Sequence, residues 1–557
     1  MAVNLLCENF LEETNSRPFG RYSSRITEYL KTGRYSFLEG IPEFCNFRRE
    51  YVIRDYRKRF KLHDYPKFSI IAITTLFTFC WKETIDTING AKEFLSPSGR
   101  LLVGGVAASL VPEEIFRETG IQPITGLLNR PGIIDPDNPE IIDTLPLDYS
   151  ILDEIDYTYP SHDAYFAYTT RGCIRRCKFC AVPILEPDYQ TFTGIFDQIK
   201  YIDEHFGQKK DLLLMDNNVL ASDQFGRIID EIKRCGFAKG ASYLPPNEYA
   251  TAINNLKENM NTRAYIRKII ALYDLTAAKM TDREAGEFYI YRENHNLLTP
   301  ESASTEDILE ADEYFRPIYA KYFRPVKRSR YVDFNQGIDA RLINDNNMKR
   351  LAEINIRPLR IAFDHIEEQD KYIQAVRMAA KYGIDDLSNY LLYNFEDKPD
   401  DLYYRMKINV DLCEELNVKI YSFPMKYHPV RDPAYFRNRD YTGRHWNRKF
   451  IRAIQAVLKA TKGKIGRGRD FFFEAFGHDI EEFHDILYMP EPFIIYRMKY
   501  KSNLAADWRR KFHALNDEDL QTVRAVIEAN DFTHENEHKA LGRNIWEVLR
   551  YYYMERE

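Results

Sequence analysis

The sequence predicts an α/β protein in four parts: an N-terminal parallel α/β domain, a partial (β/α)6 barrel, a helical insertion within that barrel, and a helical C-terminal region. Three observations predict it. At 557 residues the chain exceeds the length of about 250 to 300 residues at which single cores stop growing. Buried-strand runs alternate with helical runs over 68–150 and again from Ala164, the rhythm of parallel sheets with crossover helices. The rhythm then breaks for about 90 residues, from Phe237 to Arg328, where about two to six residues would suffice as a connection, so an inserted subdomain is expected.

The elements follow in order. "FSIIAITTLF", "KETIDTINGAKEFL", "RLLVGGVAASL" and "PEEIFRETG" read as strand, helix, strand and helix of the first domain, 1–150, and the Pro-, Asp- and Asn-rich stretch from Pro123 to Pro160 reads as a linker. The barrel, over 151–236 and 329–430, opens with "AYFAYTT". A helix with Ile195, Ile199, Ile202 and Phe206 on one face closes at Gly207, and "DLLLMDNN" and a helix from Ser222 to Gly236 follow. After the insertion, 237–328, the series resumes with "RYVDFNQGIDARL", "PLRIAFDH", a helix ending at Gly383, "NYLLYNFED", a helix from Asp400, and "VKIYSFPM". Residues 431–557 read as helical.

Composition narrows the function. With 44% hydrophobic and 29% charged residues the chain is globular, and a net charge of −6 argues against a surface that binds nucleic acid throughout. The stretch "MAVNLLCENFLEE" meets acids by Glu8 and does not show the charged start and apolar run expected of a secretory signal. The most apolar window, Phe68 to Trp81, is shorter than the roughly 20 residues a bilayer requires, so a cytoplasmic protein without a membrane span is expected. Eight scattered cysteines are no disulfide framework, and reduced thiols suit metal ligation.

Three of those eight fall in "RGCIRRCKFCAVP" as C-x3-C-x2-C: Cys173, Cys177 and Cys180. A structural zinc site wants four ligands and a ferredoxin-type cluster four thiolates. Three thiolates on a four-iron cluster leave one iron open for chemistry. The alternative is a partial zinc site completed by His162 or His205. The loop follows the first barrel strand, where an α/β barrel keeps its active site. Cys235 and Cys413 lie on the apolar stripes of their own helices and read as buried small hydrophobes.

The motif "GCIRRCKFC", with an aromatic residue before its third cysteine, resembles the signature of the radical S-adenosylmethionine (radical SAM) superfamily. The resemblance implies a 4Fe-4S cluster on Cys173, Cys177 and Cys180, S-adenosylmethionine chelating the open iron, and an electron donor such as flavodoxin or ferredoxin as partner. It implies that main chain around Phe179 contacts the adenine, and it places "MDNN" where the superfamily binds the amino group of S-adenosylmethionine, with Asp216 and Asn217 as acceptors. Strand ends further on offer Gln336 and Asp339, then Asp364, then Asn394 and Glu396, for the ribose or the substrate, each with the alternative of a solvated strand end or helix cap.

"LLVGGVAASLVPEEI" resembles the glycine-bearing loop of the Rossmann-like cobalamin-binding domains that precede many radical SAM barrels. Gly104 and Gly105 would let the backbone approach a corrin, or else form an ordinary tight turn. The cobalt-ligating D-x-H-x-x-G is not in the sequence. If cobalamin binds, cobalamin-assisted methyl transfer follows. A second reading, a methylthiotransferase acting on RNA or protein, takes Cys7, Cys45 and Cys80 as ligands of another cluster. A third is a non-catalytic, cluster-containing, nucleic-acid-binding protein. It draws on 431–469, where twelve Lys or Arg and two acids interleave with aromatics, although Ile451, Ile454, Val457 and Leu458 equally make the apolar stripe of a core helix. The substrate is not encoded in any motif.

Overall fold

A computed structural model describes residues 34–39, 67–155, 157–435, 439–466, 468–501 and 503–554, with Arg25, Glu28 and Tyr29. These divide into two compact units, one of residues up to Gly126 together with 431–435, the other running from Leu127 to Val430 and including 439–554.

The first unit contains one β–α–β crossover. Strand β1 (Phe68–Thr75) pairs in parallel with β2 (Leu95–Gly105), and helix α1 (Trp81–Ala91) joins them, burying Trp81, Ile85 and Ile88. Helix α2 (Pro112–Thr119) begins on a proline and ends at Gly120, whose φ of 69° gives the left-handed stop that glycine tolerates.

In the second unit six parallel strands follow one another. Strands β3 (Ala164–Ala167), β4 (Asp211–Leu214) and β5 (Val332–Phe334) form one three-stranded sheet. Strands β6 (Leu359–Arg360), β7 (Asp386–Tyr393) and β8 (Lys419–Lys426) form another. The parallel bridges Val332 to Ile356 and Ile338 to Ile361 join them, and β8 does not pair with β3, so the array is mixed α/β with no closed barrel. Helices α3 (Phe196–Phe206), α4 (Phe225–Ile232), α5 (Gln369–Lys381) and α6 (Pro399–Leu416) cover one face, burying Ile199, Ile229, Val376 and Met406 in a core shared with Leu212, Leu387 and Ile420 of the strands. The period-3.6 stripes of the sequence supply those contacts.

Two boundaries differ from expectation. The stretch read as a linker packs on the second unit from Leu127 onward: Tyr149 is buried there and its hydroxyl donates to the Ala164 carbonyl at 2.6 Å. Its Pro, Asp and Asn residues forbid regular structure without forbidding burial. The C-terminal helices, among them α7 (Arg448–Ala460), share one continuous core with the sheet. Within 237–328, Tyr249, Tyr273, Phe288 and Phe315 belong to a hydrophobic cluster separate from that core. A two-residue antiparallel pair, Ser242–Tyr243 with Arg328–Ser329, closes the insertion.

One buried cation ties the strand ends. Arg405 of α6 is fully buried and donates to the carbonyls of Phe363 (3.1 Å), Asp364 (2.8 Å) and Leu392 (2.7 Å), just beyond β6 and near the end of β7. Arg405→Met strands those carbonyls without donors, so the second unit, which holds three of the four tryptophans, should lose about 3 kcal/mol in fluorescence-detected urea unfolding. A loss below about 0.5 kcal/mol, the size typical of surface substitutions, would show that the strand ends hold without it.

Candidate functional site

The cysteine loop leaves β3 through Thr169 and Thr170, and both residues are held from β4. The carboxylate of Asp216, 1% exposed, accepts from the Thr169 N–H (3.0 Å), the Thr170 N–H (2.5 Å) and both threonine hydroxyls (2.7 Å each). Burial pushes the Asp216 carboxyl up, and the threonine donors oppose it. A second carboxylate, Glu186, accepts from Arg171 (3.1 Å), from the Gly172 N–H (2.6 Å) and from Asn217 Nδ2 (3.0 Å). Arg171 also pairs with Asp143 and lies 3.4 Å over the Tyr168 ring. Gly172 is required: at φ 70°, a Cβ would stand 2.5 Å from the Asp188 carbonyl oxygen.

From there the loop crosses the carboxyl ends of the later strands. Arg175 meets Asp339 beyond β5 at 3.1 Å, the Phe179 ring packs on His365 beyond β6 and on Phe395 beyond β7, and exposed Lys178 pairs with Glu396 at 3.0 Å. Arg341 adds two bonds to Asp339 and one to Glu368 (2.8 Å). Burial would raise the Asp339 carboxyl, but Arg341 and Arg175 outweigh it and hold it below the usual range.

The three thiols lie half-buried on this loop. Cys173 Sγ accepts from the Arg175 N–H (3.3 Å) and Asn218 Nδ2 (3.5 Å), and Cys180 Sγ from the Val182 N–H (3.4 Å). Burial raises the Cys177 and Cys180 thiols, and Asp364 and neighbouring cysteines raise them further, while Arg341 lowers Cys177. Among the described residues no three His, Cys, Asp or Glu side chains converge as one metal ion requires. His162 and His205 each bond the carbonyl of a near neighbour, Tyr159 and Tyr201.

The sequence-expected residues divide. Asp216 is a brace, its stronger acceptor already taking four donors, and not an open acceptor. Asn394, fully buried at φ 67°, spends its amide on the Tyr427 and Tyr441 carbonyls (3.3 and 3.1 Å) and the Gly443 N–H (2.8 Å), so it clamps the C-terminal segment and offers no ligand contact. Gln336 is exposed, near only Asn335 at 3.5 Å. Asp364 stays beside the thiols, with no hydrogen bond to its carboxylate among the described residues, and burial pushes its pKa up against His365. Sequence reasoning missed Asn218, whose Oδ1 is buried without a partner, although it closes the "MDNN" already singled out. Glu186 and Arg341 carried no signal beyond their type.

Opposite the helices, Phe166, Leu213 and Asp333 lie in register, as do Arg360, Ser388 and Tyr421. Arg360 meets Asp333 through two parallel 2.8 Å bonds, and beside it Tyr390, Tyr421 and Phe423 cluster into an aromatic wall.

In the first unit a Cβ on Gly105, at φ 97°, would stand 2.4 Å from the Thr75 carbonyl oxygen, so strand packing accounts for that glycine. Thr75 Oγ1 donates to the Gly104 carbonyl (2.9 Å) and accepts from the Ala108 N–H (2.8 Å). These residues do not demand a corrin. Cys80 lies among the described residues, Cys7 and Cys45 outside them. In the basic stretch, Trp446 and Lys449 are buried, and Arg448, Arg452 and Arg469 pair with Asp440, Glu491 and Asp411. No helix among the described residues is long and apolar enough to cross a membrane.

No protein-family profile and no curated protein matches the chain. Among solved structures, the apo, selenomethionine-labelled cobalamin-dependent S-adenosylmethionine radical enzyme OxsB is similar over 88% of this chain and 67% of its own, at 11% identity and a TM-score of 0.29. A likeness that slight assigns no activity.

The brace is testable. Asp216→Ala leaves two N–H and two hydroxyl donors buried without an acceptor, so trypsin should cut after Arg175 and Arg176 at least about tenfold faster, at unchanged far-UV circular dichroism. An unchanged cleavage rate would show that the loop is held elsewhere.

Proposed function

We propose that this chain is a radical SAM enzyme whose Cys173, Cys177 and Cys180 hold a 4Fe-4S cluster. The observation that carries the reading is a loop of three half-buried thiols, laid over the carboxyl ends of an open parallel array, with unpaired acceptors beside it. Held by these three thiolates and reduced by an external one-electron donor, such a cluster would supply the electron for cleaving S-adenosylmethionine to methionine and a 5'-deoxyadenosyl radical.

The chain's own residues provide the setting. The N–H groups of Arg175 and Val182 and the Asn218 amide already donate to sulfur, the arrangement that stabilises ligating thiolates. Burial first, and then the neighbouring sulfurs and Asp364, raise the Cys177 and Cys180 thiols, and a bound cation would favour the thiolates against both. Asn218 Oδ1 and the Asp364 carboxylate are acceptors left over for the ammonium or ribose of S-adenosylmethionine. Phe179, wedged between His365 and Phe395, holds its stretch of main chain still against the adenine. The aromatic wall of the inner face, exposed at Tyr421 and Phe423, offers the substrate an apolar surface to pack against.

Anaerobic reconstitution of the full chain should give about four irons and four sulfides per chain, and reduction with S-adenosylmethionine should release 5'-deoxyadenosine. Replacing all three cysteines by Ala should abolish both, whereas Cys235→Ala and Cys413→Ala should abolish neither. Asn218→Leu should keep the iron and weaken S-adenosylmethionine binding by about tenfold or more. Iron retained after the triple substitution, or a fully loaded protein that releases no 5'-deoxyadenosine, would end the reading.

A further inference from the structure

The C-terminal helices enclose a cavity of about 500 Å³, lined entirely by residues between Phe473 and His513. Its volume falls within the range of about 300 to 1,000 Å³ usual for small-molecule sites. One wall is apolar: Met489, Phe493, Ile494 and Ala505 face it, each otherwise buried in the core. The charges around it are nearly all matched within the fold. Lys501 pairs with Glu474, Arg510 with Asp507, and Arg509 with Asp485 at 3.1 Å, an ion pair in which the Arg509 Nε makes no hydrogen bond. Glu482 accepts from both the backbone and the ring of His478.

Arg497 is the exception. Its two terminal nitrogens reach only the main-chain carbonyls of Glu474 and Ala475, and its Nε is buried with no hydrogen-bond partner among the described residues. Burial pulls the guanidinium below its ordinary range, with Glu474 opposing. A guanidinium without a carboxylate, set beside an apolar wall, is uncompensated in a way that a bound anion corrects. The carbonyls already hold the outer nitrogens, so the position suits a single small anionic head and leaves the Met489, Phe493 and Ile494 wall for a hydrocarbon tail.

We propose that this cavity binds an aliphatic carboxylate, its head on Arg497 and its chain along Met489, Phe493 and Ile494. The assignment is independent of the cysteine loop. Calorimetric titration of the full chain with decanoate should show saturable binding of one molecule per chain, at least about tenfold tighter than decanol, which has the same tail and no charge. Arg497→Met should weaken decanoate by about tenfold and leave decanol unchanged. Ala505→Phe, which fills the cavity from its apolar side, should remove both. Equal affinity for decanoate and decanol, decanoate binding indifferent to Arg497→Met, or binding that survives Ala505→Phe would each overturn the assignment. The first and last comparisons decide the matter even where Arg497→Met unfolds the helix.

Discussion

The site depends first on one buried carboxylate. Asp216 stands just beyond β4, and the four donors it gathers belong to two residues just beyond β3, Thr169 and Thr170. A carboxylate that deep is costly unless each lone pair finds a donor, and backbone N–H groups are the donors that also dictate where a chain goes next. Asp216 therefore sets the direction in which the chain leaves the sheet. Glu186 repeats the device on the next two residues, Arg171 and Gly172. Between them the two carboxylates fix the loop from its root, before any sulfur is reached.

The far side of the loop is held differently. Arg175, Lys178 and Phe179 each touch a group just beyond a different strand end, and the β6 and β7 ends hold their relative places through Arg405. The exposed Lys178 pair contributes little. The half-buried Arg175 and Arg341 pairs on Asp339 and the ring contacts of Phe179 carry more, because water competes less with them. Loop position and strand spacing are thus one problem, and a helix behind the sheet solves half of it.

Much of this was legible in the sequence. The stripes over 195–206 and 225–235 and the closing glycines at 207 and 383 name helices through a period and a stop, both local properties. The C-x3-C-x2-C loop was legible for the same reason. What could not be read is which polar residue faces a ligand and which faces its own chain. Asp216 and Asn394 sit at strand ends and have the right chemistry for a ligand, yet their partners lie 46 to 49 positions away, at Thr170 and Gly443. A residue's type declares what it can bond, and only the tertiary fold declares what it does bond. Arg405 shows the converse, since a cation on an apolar helical stripe looks like an interruption until three carbonyls converge on it.

The same distinction explains where reactivity is left in the second unit. Most polar groups near the thiols are matched by a neighbour: Asp339 by Arg175 and Arg341, Asp333 by Arg360, Glu186 by Arg171. Satisfied pairs hold geometry and do not invite a ligand. Beside the loop cysteines, among the described residues, Asn218 Oδ1 and the Asp364 carboxylate accept no hydrogen bond. In a fold that satisfies buried polar atoms almost everywhere, unsatisfied ones beside a set of thiols are expected where a ligand completes the structure. Arg497, remote in sequence and paired with no carboxylate among those lining its cavity, obeys the same logic with the opposite charge.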